Sequence, residues 1–420
     1  MMTPTPTPGR EPAVPRSRLW FLGVGFLGIQ LAFAVYNAFL PLLYRQFLDS
    51  RAVIGLLMGT DNLVGLLLIP VVGAWSDRIH SPLGRRLPFI VVGIPVAAAT
   101  LAAIPYAAAV LWILIVTEVA FTAAMHLYRG PMAAIIIDHT PPRRRSTASA
   151  IAQFLGGVGV LLSFAVLARL FDVDQRLPFV LGAVVLLASL GVVWWQAERF
   201  PAYVDNLSVG TGSPLRGILG RLRHLARGQQ RGAVLVLTAM LVVYSGFAGL
   251  QAMLPIYGVE VVGLSEGEAA FLLTAFAAAM LVAVLLAGWI GTRIGPVPTM
   301  LVGTSVLAVL YLVATGARTA ATVAGVLVVA GAVWPLFAVP AVALAGDLGG
   351  REQIGFHLGL YYVFTMLGQM VGPFLLGTAM DVFGEASMWL AAAVITAVGG
   401  VVLHLGGRAL GRPAPAVAIG

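Results

Sequence analysis

Cysteine is absent from this 420-residue chain, so disulfides, thiolate metal sites and cysteine nucleophiles are all excluded. Lysine is absent too: all 25 basic residues are arginine, a bias that reflects genome composition rather than mechanism. Charge of either sign is scarce. Only 10% of residues are charged while 60% are hydrophobic, and the mean hydropathy is +0.96. A water-soluble domain cannot hide that much apolar surface, so the chain is an integral membrane protein. No nucleotide-binding G-x(4)-G-K-[ST] run occurs, and no span offers a clustered His and acid metal site or a nucleophile with its base. The expectation is a protein that is not an enzyme and carries neither metal nor cofactor. A net charge of +8 would suggest nucleic acid in a soluble protein; here it belongs mostly to loops between spans, and no nucleic-acid partner is expected.

What is abundant is apolar sequence of spanning length. Such runs lie near 19–43, 53–75, 87–107, 110–137, 147–169, 178–197, 232–257, 267–291, 299–315, 319–345, 355–379 and 386–405, twelve in all. The fold class expected is an all-α polytopic membrane protein of twelve transmembrane helices in two six-helix halves. Residues 1–18 are Pro-rich and basic and are expected to form a disordered cytoplasmic N-terminus. The halves would be 19–197 and 232–406, joined by a cytoplasmic linker at 198–231 and followed by a cytoplasmic tail at 407–420. The linker run L-R-G-I-L-G-R-L-R-H-L-A-R spaces Leu and Ile at three and four with Arg between, the pattern of a basic amphipathic helix on the membrane surface.

Orientation follows from the arginines. Exterior loops would hold Arg45, Arg51, Arg169, Arg176 and Arg318, offset by Asp49, Asp172, Asp174, Glu266, Glu268, Asp381 and Glu385. Arg129 falls inside a span, which leaves 19 of the 25 arginines on the cytoplasmic side with both termini. The two halves also repeat weakly. Pro131 and Asp138 end the fourth span as Pro340 and Asp347 end the tenth; Arg143 to Arg145 follow the first pair and Arg351 the second.

The loop around which the chain is organised is G-A-W-S-D-R-I-H-S-P-L-G-R-R-L-P-F-I at 73–90. It packs Asp77, Arg78, Arg85 and Arg86 with Pro82 and Gly84 between two spans, and has a worn counterpart in A-G-W-I-G-T-R at 287–293. This loop resembles the signature loop of the major facilitator superfamily, and its Arg-rich second half is similar to the sugar:cation symporter branch that includes the plant sucrose transporters. L-L-M-G-T-D-N-L-V-G-L-L-L-I-P-V-V-G-A-W-S-D-R at 56–78 and Y-R-G-P-M-A-A-I-I-I-D-H-T-P-P-R-R-R-S-T-A-S-A-I at 128–151 resemble bacterial, glycoside–pentoside–hexuronide:cation symporter-like relatives of that branch. The resemblance implies the major facilitator fold and makes Asp138 and Arg145 candidates for proton-coupled uptake. One departure is that the plant motif's arginine falls on Ala133, with Arg129 one turn earlier as a stand-in. Another is that Gln251 sits where this branch often has Glu.

Polar residues at membrane depth are the remaining candidates, because a charge there costs roughly 2.5–3.5 kcal/mol and needs a partner or a wet cavity. Span two holds Asp61 and Asn62; span four holds Glu118, His126 and Arg129. At 100° per residue Glu118 and Arg129 fall within about 20° of each other, on one stripe. Asp61 and Arg129 are expected to pair, and Asp61, Arg129, Asp138 and Glu118 are the coupling candidates. The inner gate is expected in Asp77, Arg78, Gly84, Arg85, Arg86, Arg145, Asp347 and Arg351. The substrate cavity is expected to draw on Gln30, Asn37, Asn62, His126, Tyr244, Gln251, Trp334, Tyr361 and Gln369.

Together with the resemblance, these residues imply a secondary active transporter of the cytoplasmic (inner) membrane, a monomer in the bilayer, that moves a sugar or glycoside with H⁺ or Na⁺ by alternating access. A proton-driven exporter of drugs or metabolites is the alternative on the same fold, suited by the apolar Met253, Phe276, Met280 and Met366 of the second half.

Overall fold

The computed structural model describes residues 16–79, 81–141, 144–197, 231–348 and 354–410. Among the described residues twelve helices are long and apolar enough to cross a membrane: α1 (Ser17–Arg45), α2 (Arg51–Arg78), α3 (Leu87–Ala107), α4 (Leu111–Asp138), α5 (Thr147–Phe171), α6 (Leu177–Gln196), α7 (Arg231–Val262), α8 (Glu266–Ile294), α9 (Pro296–Gly316), α10 (Ala320–Asp347), α11 (His357–Phe383) and α12 (Ser387–Leu410). No strand occurs among the described residues. Each expected span is present, with ends shifted by a few residues where charged residues extend the helix past its apolar run. The first helix already begins at Arg16, so residues 16–18 are helical rather than part of a disordered arm. The expected amphipathic helix of the linker lies outside the described residues.

Packing repeats between the halves. α1 lies mainly against α5 and α6, and α7 mainly against α11 and α12. Such close contacts depend on glycines. Gly159 of α5 lets the Leu27 carbonyl of α1 approach, and Gly372 of α11 does the same for Ser245 of α7. A Cβ at either place would overlap the facing backbone, which is the membrane-helix use of small residues.

Between the halves the main contacts are α2 with α11 and α1 with α7. They concentrate at the end of the bundle where α1 gives way to α2, here the Arg51 end. α2 is interrupted at Gly59, whose N–H still bonds to Gly55, so the segment 51–58 is set off from 60–78. That short segment lies on α11: a Cβ at Gly59 would stand 2.5 Å from the Met370 carbonyl, and Gly55 faces the Pro373 carbonyl more closely still.

Candidate functional site

The break in α2 places Thr60, Asp61 and Asn62 at the head of its longer segment, between the halves. Asp61 and Asn62 line a cavity together with Asn37 of α1, Gln251 of α7 and Gln369 of α11; Met58, Ala248, Ala252 and Pro373 complete the wall. Its empty volume is about 380 Å³, counting space open to solvent. Four amides on four helices, two from each half, therefore converge with one carboxylate. Each amide offers both donors and acceptors, a lining matched to a neutral molecule rich in hydroxyls.

Asp61 does not meet Arg129. Its Oδ1 lies 2.9 Å from Nε2 of His126, which is also 3.1 Å from the Asp61 carbonyl oxygen. The expected Asp61–Arg129 pair is thus replaced by an Asp61–His126 pair. The cause is depth and room. Arg129 is one turn farther along α4, about 4.5 Å deeper. Gly65, one turn beyond Asp61, clears space for the imidazole: a Cβ there would stand 2.7 Å from His126 Cε1. Arg129 instead sits over the Phe33 ring, 5.2 Å from its centroid, and forms no ion pair among the described residues. His126 is buried, and its Nδ1 has no hydrogen-bond partner among the described residues.

Glu118 has its own enclosure. It is 0% exposed and accepts hydrogen bonds from Tyr36 (2.8 Å), Tyr44 and Thr60 (3.0 Å). Sequence reasoning put Glu118 on a stripe with Arg129 and missed these partners. The two tyrosines are eight residues apart on α1, roughly one side of the helix, which was the available signal.

Other candidates fall elsewhere. Gln30 packs its stem near Gly156 of α5, off the cavity wall. Tyr244, Trp334 and Tyr361 form an aromatic group in the second half, about two helical turns from Gln251 and Gln369. The Tyr244 and Tyr361 hydroxyls are 2.9 Å apart, and Trp334 stacks on Phe247 with centroids 4.0 Å apart.

At the opposite, Arg86 end, one residue of the signature loop gathers the contacts. Arg86 reaches Asp77 at the end of α2 (2.5 Å), Asp138 at the end of α4 (3.2 Å) and the Ser76 hydroxyl (2.7 Å). Gly84 turns the loop at φ +84°, a backbone that a residue with a Cβ rarely adopts. Arg85, also expected in the inner gate, makes no hydrogen bond or ion pair among the described residues, so of the two adjacent arginines Arg86 makes the carboxylate contacts. Arg78 ends α2, and Arg145 begins the helix leading into α5. Asp138 pairs with Arg86. Asp347 ends α10 exposed, and Arg351 lies outside the described residues.

The Arg51 end is where polar contacts tie the halves together. Glu260, on a π turn closing α7, takes Arg45 at 2.6 Å and Arg51 at 2.7 Å. Arg51 also reaches Glu385 at 2.5 Å. Asp381 accepts the N–H groups of Arg51 and Ala52, both at 2.9 Å, and the Ser50 hydroxyl at 2.7 Å. On the other flank Asp172 accepts the Gly267 N–H (2.9 Å) and the Ser265 hydroxyl (2.7 Å) at the start of α8. The reading of these loops as acid-rich anticipated the charges but not their pairing, which depends on which loops meet.

A family model described as Major Facilitator Superfamily matches residues 22–270 and 236–418. Proton-associated sugar transporter A of Homo sapiens is 39% identical over 75 residues, 18% of this chain and 10% of that protein. Sucrose transport protein SUC3 of Arabidopsis thaliana is 26% identical over 159 residues, 33% of this chain and 27% of that protein. The similarity thus spans well under two thirds of either relative. Among solved structures, a bacterial homolog of the human lysosomal transporter Spinster, inward-facing and occupied, superposes with a TM-score of 0.78 at 17% identity, covering 97% of this chain and 100% of that one. A D-xylose-proton symporter superposes with a TM-score of 0.67 at 16% identity, covering 92% and 96%. At these identities the structural likeness is one of fold.

Proposed function

The chain belongs to the Major Facilitator Superfamily, and from that premise we propose that it is a proton-coupled symporter of a neutral sugar or glycoside, working as a monomer by alternating access. The observation that carries this reading is the cavity between the halves, where Asn37, Asn62, Gln251 and Gln369 surround Asp61. Hydroxyls of a sugar would bridge amides from both halves, so binding would draw the halves together. The partial likeness to a proton-associated sugar transporter and a sucrose transport protein supports the same substrate class. An exporter of apolar compounds fits less well. Met253 is fully buried, and polar side chains rather than the second-half methionines dominate the wall.

Coupling is assigned to Asp61 with His126. One imidazole nitrogen faces the carboxylate and the other has no partner among the described residues, so the pair would hold or release one proton beside the cavity that Asp61 lines. The distribution of arginines supports an exterior Arg51 end and a cytoplasmic Arg86 end, with the cytoplasmic membrane as the proposed location. With the halves joined at the Arg51 end, the structure is read as the state sealed outside. Arg86, with Asp77 and Asp138, would brace the inner end of the first half for closure on the second.

The test is uptake of a panel of labelled disaccharides and monosaccharides into proteoliposomes under an imposed inward pH gradient. At least one neutral sugar is expected to accumulate, and dissipating the gradient should leave only equilibration. If no sugar moves, or if the gradient makes no difference to accumulation, the reading is wrong.

A further inference from the structure

We propose that Glu118 is a second, occluded proton-binding site, whose occupancy is passed to the hinge of α2 through the Thr60 hydroxyl. The inference deepens the symport reading above, because it assigns a separate proton site behind the Asp61–His126 pair. It begins with a count of hydrogens. Thr60 Oγ1 lies 2.7 Å from the Leu57 carbonyl and 3.0 Å from Glu118 Oε1, but a hydroxyl has a single hydrogen to donate. With Glu118 ionised, that hydrogen is drawn to the carboxylate. With a proton on Glu118, the acid O–H can donate to Thr60 Oγ1, and the Thr60 hydrogen turns to Leu57. The Tyr36 and Tyr44 hydroxyls accompany either form, since each can rotate to donate or accept.

Position gives this switch a consequence. Leu57 and Thr60 flank Gly59, where α2 is interrupted, and the segment before the break lies against α11 at the closed rim. A hydrogen bond from Thr60 to Leu57 ties the two segments across the break; one from Thr60 to Glu118 ties the longer segment to α4 instead. Proton occupancy therefore selects which side of the hinge Thr60 secures. Access follows from burial as well. Tyr36, Tyr44 and Glu118 are all 0% exposed, whereas Thr60 is half-buried beside the cavity residue Asp61. Protons would enter from the cavity past Asp61 and Thr60. The titratable groups around the site are the two tyrosines of α1, Asp61 of α2 and, two turns along α4, His126; Arg129 is turned to Phe33.

Infrared difference spectroscopy of the reconstituted protein between acid and alkaline buffer tests this without a substrate, so its result is independent of whether a sugar is carried. A titrating carboxylic C=O band that disappears in Glu118→Gln is expected. Thr60→Val should keep the band but shift it, through loss of one hydrogen bond, and this variant carries the test if Glu118→Gln does not fold. A reporter cysteine at Ala252, in a chain that has none of its own, gives the second readout. Its labelling from the rim side should vary with pH in wild type and vary less in Thr60→Val, Asp61 and His126 keeping their own share. A spectrum in which no band is lost in Glu118→Gln or shifted in Thr60→Val, or rim labelling whose pH dependence in Thr60→Val is the same as in wild type, would overturn the proposal. So would sodium-dependent protection that vanishes in Glu118→Gln without a proton band, since that would make the site a cation site.

Discussion

Replacing Gly55 with alanine should open the outer rim without unfolding the protein. A methyl group at Gly55 would overlap the Pro373 carbonyl, and one at Gly377 the Arg51 carbonyl. Both obstacles are backbone, so no rotamer change can relieve them; α2 and α11 must separate. Overpacking of this kind costs about 1–3 kcal/mol. The contact joins the two halves, and under the proposed alternating access it would exist only while the rim is closed, so the cost would fall on one conformational state. A difference of 1–3 kcal/mol shifts a two-state ratio by roughly 5-fold to 150-fold. The assay is maleimide labelling of Ala252→Cys by an impermeant reagent added from the rim side, with Gly55→Ala raising the labelling rate within that range. Gly159→Ala is the control, because it produces a similar overlap with Leu27 inside one half. It should lower thermal stability and leave rim labelling unchanged. If Gly55→Ala behaves like the control, the rim is not a moving contact and the reasoning fails.

Asp61→Asn should fold with little change in melting temperature, because an amide can still bond to a neutral His126, and should exchange sugar yet fail to concentrate it; coupling retained in counterflow and gradient assays would refute the assignment. Gln251→Ala removes one hydrogen-bonding amide worth about 1 kcal/mol, so KM for the transported sugar should rise roughly fivefold while the maximal rate holds. Arg86→Gln should reduce transport far more than Arg85→Gln at equal membrane content, because only Arg86 reaches Asp77 and Asp138. Asp138→Asn should keep pH-dependent uptake with an altered rate, whereas loss of all pH dependence would move the coupling site to the end of α4.

The helices were legible in the sequence because a bilayer imposes a simple rule: a span must be long and apolar, and loops carry the charge. The identity of the polar residues was legible for the same reason, and Asn37, Asn62, Gln251, Gln369 and Asp61 do converge. Their partners were not. The choice between His126 and Arg129 rests on one helical turn of depth and on the missing side chain of Gly65, neither visible along a single helix. Glu118 illustrates the same limit. Its place at membrane depth on α4 was legible, but its three hydroxyl partners come from α1 and α2, whose packing against α4 is a property of the assembled half.

The rim shows how the internal repeat enters the mechanism. Asp381 ends α11 and caps the first N–H groups of α2; Asp172 follows α5 and caps the start of α8. Six spans separate α5 from α11 and α2 from α8, so one kind of contact is used twice, in equivalent places. Each joins a carboxylate of one half to a helix N-terminus of the other. Such a charge on a helix end contributes about 0.3–1 kcal/mol when exposed and up to ~2 kcal/mol when partly buried. Two of them contribute a few kcal/mol at most, and the partly buried ion pairs of Arg51 with Glu260, Asp381 and Glu385 add to them. Differential ligand binding commonly supplies about 1–3 kcal/mol, a comparable amount. On the proposed reading, contacts of this size leave the closed and open states within the reach of one bound sugar and one proton.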